Sequence, residues 1–137
     1  MSRILILLTA LLLLPAGASA QDATDSPSTR LGAFAVCQDV VDREPVGEAE
    51  SYPSTVGTLY CFTKVLTDNP PVRVFHRWFV GDKLVDEIPV NAKGVEWRCW
   101  SRKTILPSWN GACRVEVLTE AGDVLGTKEF TLTAAGE

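Results

Sequence analysis

The sequence has few of the features that catalysis, metal binding or nucleic-acid binding require. Its 137 residues include one histidine and one methionine, and 13 basic residues stand against 17 acidic ones. The net charge of −4 argues against a nucleic-acid-binding protein, which carries a basic patch or a high pI. The sequence has no glycine-rich phosphate loop, no G-x-S-x-G elbow and no C-x-x-C pair. The length excludes a multidomain enzyme, and the missing motifs leave nucleotide, zinc and thioredoxin-like sites without support.

Long hydrophobic runs are confined to the N-terminus. Ile4–Leu14 is almost wholly aliphatic over 11 residues, far short of the roughly 20 that a membrane-spanning helix needs. Arg3 precedes this run, and the A-x-A signal Ala18-Ser19-Ala20 follows it. We therefore expect residues 1–20 to be a cleaved signal peptide that leaves no membrane span. The mature protein is then exported, to the periplasm or outside the cell; an uncleaved anchor is the alternative.

The rest of the chain is predicted to be all-β. Residues 21–32 are small and polar, which predicts a disordered lead-in, and 134–137 form a short tail. Between them, segments rich in Val, Phe, Trp and Thr are separated by turn residues, without helical periodicity. The predicted strands are Ala33–Val41, Thr58–Leu66, Val72–Val80, Lys83–Val90, Val95–Ser101, Ala112–Thr119 and Val124–Thr133. About seven strands over 33–133 predict an immunoglobulin-like antiparallel β-sandwich.

The connections and faces follow from local pattern. Gly81-Asp82 predicts a two-residue type II′ hairpin turn. Residues 42–57 are expected to form a long loop, with one helical turn around Glu48. Period-two alternation places Trp78 and Trp97 on core-facing positions.

Because compartments outside the cytoplasm are oxidising, export favours disulfide-bonded cysteines over free thiols. We expect one disulfide between Cys37 and Cys61, which joins the first strand to its presumed neighbour. Cys99 and Cys113 face inward on consecutive strands, which predicts the second disulfide. The alternative is an immunoglobulin-type bridge between Cys61 and Cys113 with Trp78 against it, which leaves Cys37 and Cys99 to pair or stay free.

Catalytic and metal sites have weak support in the sequence. His76, the single histidine, falls on an apolar strand face, where a hydrogen-bonded core residue is the usual outcome. Ser101 and Ser108 have no accompanying base, and the carboxylates are scattered. Two acidic clusters are candidates for calcium binding but lack a recognisable loop pattern; they are Asp39-Asp42 and Asp82-Asp86-Glu87. We expect no catalytic residue, no metal and no cofactor.

An alternation of arginine and aromatic residues is the best candidate for a binding surface. Arg98, Trp100 and Arg102 are predicted to point outward from one strand, with Lys103 and Trp109 just beyond. A second strand repeats the pattern in Arg73, Phe75, Arg77 and Phe79. Aromatic rings stack on sugars and guanidinium groups pair with carboxylates. The structural alternative is that arginine stems simply cover the aromatic rings.

Five short runs resemble one bacterial family in order and spacing. They are Asp42-Arg43-Glu44-Pro45-Val46, Leu59-Tyr60-Cys61-Phe62-Thr63, His76-Arg77-Trp78, Trp97-Arg98-Cys99-Trp100-Ser101-Arg102-Lys103 and Gly122-Asp123-Val124-Leu125. The family is the bacterial domain of unknown function 2914, and the resemblance extends over 33–133. It implies an exported or periplasmic β-domain and supplies no activity. Cys99 and Cys113 depart from the family pattern together, which again suggests that they form a disulfide.

These observations predict a non-catalytic binding or assembly module of the bacterial cell envelope. Its partner is expected to be a protein or a glycan, not a nucleic acid. A carbohydrate-binding module that uses the arginine and tryptophan surface is the alternative, and a hydrolase is the third possibility. The predicted contact residues are Arg77, Arg98, Trp100, Arg102, Lys103 and Trp109.

Overall fold

Ten β-strands account for most of residues 28–134, which are the residues that the computed structural model describes. In chain order they are β1 (Thr29–Cys37), β2 (Asp39–Val41), β3 (Glu44–Val46), β4 (Ser51–Pro53), β5 (Thr58–Thr67), β6 (Val72–Val80), β7 (Lys83–Ala92), β8 (Glu96–Thr104), β9 (Gly111–Thr119) and β10 (Val124–Thr133). Within this range, no helix has the length and hydropathy of a membrane span. The predicted signal peptide lies outside the described residues.

The strands form two facing sheets and a small hairpin. One sheet has the order β1-β5-β8 and is antiparallel throughout. The other has the order β4-β10-β9-β6-β7 and is antiparallel except for the parallel pair of β4 and β10. At the margins, β1 packs beside β10 and β7 beside β8. The predicted all-β sandwich is thus confirmed. Its fourth long strand, β7, joins β6 rather than the sheet of the first strand, unlike the constant-type immunoglobulin order.

The N-terminal third differs most from the prediction. Residues 29–32, expected in the disordered lead-in, begin β1, and Thr29 pairs with Thr67 of β5. The segment 42–57 was expected to be a loop with a helical turn at Glu48, but it contains β3 and β4. The hydroxyl of buried Tyr52 organises this segment: it accepts the Ala49 N–H at 2.8 Å and lies 3.0 Å from the Val36 carbonyl oxygen. A buried tyrosine, not a helix, fixes the connection.

The core lies between the two sheets and is built from the inward positions of alternating strands. Trp78 is 2% exposed, as predicted, and its ring meets Phe130 edge-on with centroids 6.3 Å apart. Trp97 is half-buried and packs against the same core. Other fully enclosed side chains are Tyr52, Leu59, Val65, Val74, Val115, Val117 and Leu132.

The predicted disulfides are wrong, because all four cysteines are free thiols. Cross-strand pairing sets Val36 opposite Cys61 and Cys37 opposite Tyr60, so Cys37 and Cys61 point to opposite faces of their sheet. Cys61 belongs to the main core, whereas Cys37 packs with Ala35 in a separate outer cluster.

Neither of the other two pairings, Cys99–Cys113 or Cys61–Cys113, is formed. Cys61 and Cys99 lie opposite Ser101 and Thr63, and both of those side chains contact His76 of β6. Cys113 pairs with Val80, four residues from His76 and therefore about 13 Å away along β6. Cys99, which lies at the level of His76, is therefore out of disulfide range of Cys113.

Two hairpins turn in two residues each. Gly81 has a φ of +59° in the connection of β6 to β7, as the predicted type II′ turn requires. Asp42 and Arg43 connect β2 to β3 with φ values of +53° and +64°, the pattern of a type I′ turn. The second turn uses two residues that carry side chains, so its signal was absent from the sequence.

Strand β7 forms one edge of the five-stranded sheet. Its pairing with β6 shifts register between Trp78 and Phe79, and Pro89 lies opposite Phe75. A bulge and a proline therefore interrupt this edge strand.

Candidate functional site

Strand β8 divides its side chains cleanly between the two faces of the three-stranded sheet. Ser101 is buried at 5% exposure, whereas its neighbour Trp100 is 39% exposed. Arg98 and Arg102 share the outward face with Trp100, as the alternation predicts. We call Arg98, Trp100 and Arg102 the Trp100 surface.

Trp100 rests on an apolar cluster outside the main core. Its ring stacks on Phe62, the residue directly opposite on β5, with centroids 6.2 Å apart and planes 16° apart. Phe62 is 1% exposed and packs with Ala35, Cys37 and the hairpin residue Val40. The indole is therefore held on a rigid base while much of it remains open to solvent.

The cations of this face differ in their partners. The Arg98 Nη2 atom lies 3.2 Å from Glu44 Oε1 on β3. Lys64 Nζ lies 2.7 Å from Glu96 Oε1, and this ion pair lowers the pKa of Glu96. Within residues 28–134, no carboxylate lies within ion-pair distance of Arg102. Arg102 is therefore a cation of this face that is free to bind an anion.

Three other predicted contact residues lie elsewhere. Lys103 and Trp109 are on the inward side of β8: Lys103 Nζ lies 3.1 Å from Asp86 Oδ2 on β7 and 5.9 Å from the Trp109 ring centroid. Arg77 lies on the outer face of the five-stranded sheet and pairs with Glu87. The structure brings together Arg98, Trp100 and Arg102 only.

The second arginine and aromatic stripe is covered by its own neighbours. The guanidinium carbon of Arg114 lies 3.8 Å from the Phe79 ring centroid, and Arg114 Nε lies 2.9 Å from Glu116 Oε2. Arg77 is likewise paired to Glu87. In this stripe the arginines therefore have a structural role, because they cover aromatic rings and neutralise carboxylates.

A buried polar chain joins the two sheets behind the Trp100 surface. His76 Nδ1 lies 2.7 Å from Ser101 Oγ, and His76 Nε2 lies 3.2 Å from Thr63 Oγ1. Thr63 Oγ1 also lies 3.3 Å from Cys99 Sγ. Burial lowers the pKa of His76 from 6.5 to about 4, so the ring is neutral near pH 7.

The hydrogen-bonded chain of side chains around His76 was not predicted from the sequence, in which Ser101 and His76 were considered separately. Alternation marks each as inward-facing, but only the pairing of strands shows that they meet. A hydrolytic serine needs an oriented base and access for substrate. Here Ser101 and His76 are 5% and 0% exposed, and the far nitrogen of His76 meets Thr63 rather than a carboxylate. The contacts are those of a polar bridge between sheets.

Other candidate sites are weaker. In residues 28–134, no group of three or more His, Cys, Asp and Glu side chains is arranged to hold a metal ion. A groove of about 460 Å³ lies on the five-stranded sheet, lined by Glu50, Asp82, Arg114 and Glu129 among others. It contains none of the predicted contact residues.

Comparison with known proteins gives a family without an assigned activity. The family model described as "protein of unknown function (DUF2914)" matches residues 71–132, nearly all of β6 to β10. No curated protein matches the chain. The matched segment includes Arg98, Trp100 and Arg102, whereas the resembling runs at 42–46 and 59–63 lie outside it. Over residues 71–132, the chain is similar to the DUF2914 family, as the sequence motifs within that segment indicated.

Proposed function

We propose that the protein is a non-catalytic binding or assembly module of the bacterial cell envelope, and that it contacts its partner through the Trp100 surface. One observation carries this proposal: Trp100, on the edge strand β8, is 39% exposed on the outer face of the three-stranded sheet while it stacks on buried Phe62. Tryptophan and arginine dominate the binding energy of many interfaces. Their placement on a strand, rather than on a loop, keeps their geometry fixed.

The envelope location rests on the N-terminal sequence. Residues 1–20 have the positive start, short apolar run and A-x-A end of a secretory signal. The family resemblance, with its exported or periplasmic members, agrees with this location. A domain whose one described serine–histidine contact, between Ser101 and His76, is buried suits a binding role better than the hydrolase considered above.

A carbohydrate-binding module is the second candidate. It is favoured by the stacking of Trp100, because Phe62 supports the indole nearly parallel, at 16° between the planes, and leaves the ring accessible from outside. Sugar rings bind to aromatic faces presented in this way.

Replacement of Trp100 by alanine tests the proposed function. We expect capture of partners from envelope extract to fall about tenfold or more, because stacking contacts contribute on the order of 1 kcal/mol each and an exposed tryptophan makes several. Thermal unfolding should change little, by about 1 kcal/mol or less, since the ring is only partly buried. Pull-down and thermal unfolding are measured on the same variant.

Leu84→Ala is the matched control. Leu84 is also a large apolar residue, 45% exposed, but it lies on β7 of the other sheet. Its loss should leave capture unchanged. If Trp100→Ala loses stability by several kcal/mol while capture is unchanged, the surface is structural and the proposed function is wrong.

A further inference from the structure

We propose that the Trp100 surface binds a polysaccharide that carries carboxylates, and that Glu44 occupies on Arg98 the position of a ligand carboxylate. This inference rests on the proposed function and names its ligand class. It also assigns Glu44 a role as a built-in competitor.

The first step is the charge on this face. Lys64, Arg98 and Arg102 all point outward from the three-stranded sheet, in a chain whose net charge is −4. Arg98 and Arg102 are four residues apart on one strand, which separates them by about 13 Å. Trp100 lies midway between them. The face therefore presents a cation, an aromatic ring and a second cation in a line.

The second step is the choice of occupant. Trp100 is the only aromatic residue among the large exposed apolar side chains of residues 28–134. A single ring flanked by cations is much smaller than the roughly 800 Å² that each partner contributes to a stable protein interface. A linear chain of uronic acids presents an apolar face and one carboxylate on each ring. Such a chain can stack on Trp100 and reach both arginines at once.

The third step concerns Glu44. Its Oε1 atom lies 3.2 Å from Arg98 Nη2, in a pair whose side chains are 36% exposed for Arg98 and 61% exposed for Glu44. Ion pairs this open to water contribute little to folding, so an incoming carboxylate can replace Glu44 at small cost. The β2–β3 hairpin is anchored independently, by Val40 in the cluster around Phe62. Glu44 therefore stays near Arg98 and competes with any acidic ligand.

The test measures the affinity of the purified protein for a galacturonic acid octamer and for the same octamer fully methyl-esterified. The ester keeps the sugar rings and removes the charge. We expect the acid to bind at least tenfold more tightly than the ester, and increasingly so at low salt. E44Q should bind the acid about three- to tenfold more tightly than the unaltered protein. R102Q should bind it about tenfold more weakly.

R73Q is the matched control, because Arg73 is an arginine with a 52% exposed side chain on the other sheet. It should bind the acid like the unaltered protein. Thermal unfolding of each variant reports whether it is folded. E44Q removes only a solvent-exposed contact, so the main test does not depend on a damaged core.

The outcomes separate this inference from the proposed function. Equal binding of acid and ester, or unchanged or weaker acid binding by E44Q, overturns the inference but leaves a Trp100-dependent binding module in place. Failure to bind either octamer, with envelope capture still sensitive to Trp100→Ala, identifies a different partner such as a protein and also overturns it. If capture is insensitive to Trp100→Ala, the proposed function fails as well.

Discussion

A single histidine connects the two sheets through hydrogen bonds on both of its ring nitrogens. His76 bonds Ser101 and Thr63, which lie on neighbouring strands of the opposite sheet. The titratable side chains near this chain are the Cys61 and Cys99 thiols, and burial raises the pKa of both. No charged partner of His76 compensates its protonation in the described part of the chain. Protonation of the ring is therefore less favourable in the folded protein than in the unfolded chain.

The stability of the protein should consequently fall in mild acid. The folded pKa of His76 is about 4 against an ordinary value of 6.5, so the unfolded chain binds the extra proton first. The full stability is present above pH 6.5 and declines as the pH falls toward 4, with a total loss from this group of roughly 3 kcal/mol. Denaturant unfolding at a series of pH values measures this.

His76→Gln is the control for this prediction, since it is the only histidine in the sequence. The variant should be less stable at pH 7 and should lack most of the decline between pH 6.5 and 4. Parallel pH profiles for both proteins would contradict the assignment to His76.

At the residue scale, the sequence predicted which face of its strand a side chain occupies, but not which side chains of other strands it contacts. Period-two alternation correctly placed Trp78 inward and Trp100 outward, because each depends only on the pattern within its own strand. The contacts of His76 with Ser101, and of Trp100 with Phe62, depend on which strands face or adjoin one another. That information is absent from a single strand. The outward position of Trp100 was predictable, whereas its contact with Phe62 was not.

At the scale of elements, β3 and β4 escaped prediction, and β2 was merged with β1 into one predicted strand. Strands β2, β3 and β4 have three residues each, and β3 and β4 contain Pro45 and Pro53. Three residues are too few to show alternation, and proline lowers the strand signal. The long strands β5 to β10 were predicted within a few residues. Glu44 lies on the β2–β3 hairpin, so its contact with Arg98 could not be predicted without that hairpin.

The turn of this hairpin gives a prediction of its own. Arg43 has a φ of +64°, a conformation that costs a residue with a side chain roughly 1 kcal/mol and costs glycine almost nothing. Arg43→Gly should therefore leave stability unchanged or raise it by up to about 1 kcal/mol, because the relief of strain exceeds the added freedom of the unfolded chain. Chemical denaturation measures the change.

Asp82→Gly provides the comparison at the second position of the other two-residue turn. Asp82 is not among the residues with positive φ, so glycine there only adds freedom to the unfolded chain. We expect a loss of about 0.5–1 kcal/mol. A loss at Arg43 as large as the loss at Asp82 would show that its positive φ carries no strain.

At the scale of the whole molecule, the register between sheets decides the state of the cysteines. Sequence reasoning paired them by proximity along the chain and by export, whereas the fold sets Cys37 and Cys61 on opposite faces and Cys113 about 13 Å along β6 from the level of Cys99. Spacing along a sequence contains no information on register between strands. The all-β class was predictable from composition, and the connectivity of four thiols was not.

The four thiols should therefore remain reduced, even in an oxidising solution. Burial raises the pKa of each thiol, which keeps the reactive thiolate scarce. We expect identical masses with and without reductant, slow labelling of half-buried Cys99 in the native protein, and labelling of the other three only after unfolding. Cys99→Ser should abolish the native labelling. A non-reduced peptide that joins any two cysteines would contradict this.

The interrupted edge strand β7 has a consequence for the protein at high concentration. An uninterrupted edge offers a row of backbone donors and acceptors to another molecule, and growth along that row leads to fibrils. In β7, a bulge beside Trp78 changes the register and Pro89 removes a donor from the strand. The outer margin of the five-stranded sheet therefore resists edge-to-edge polymerisation.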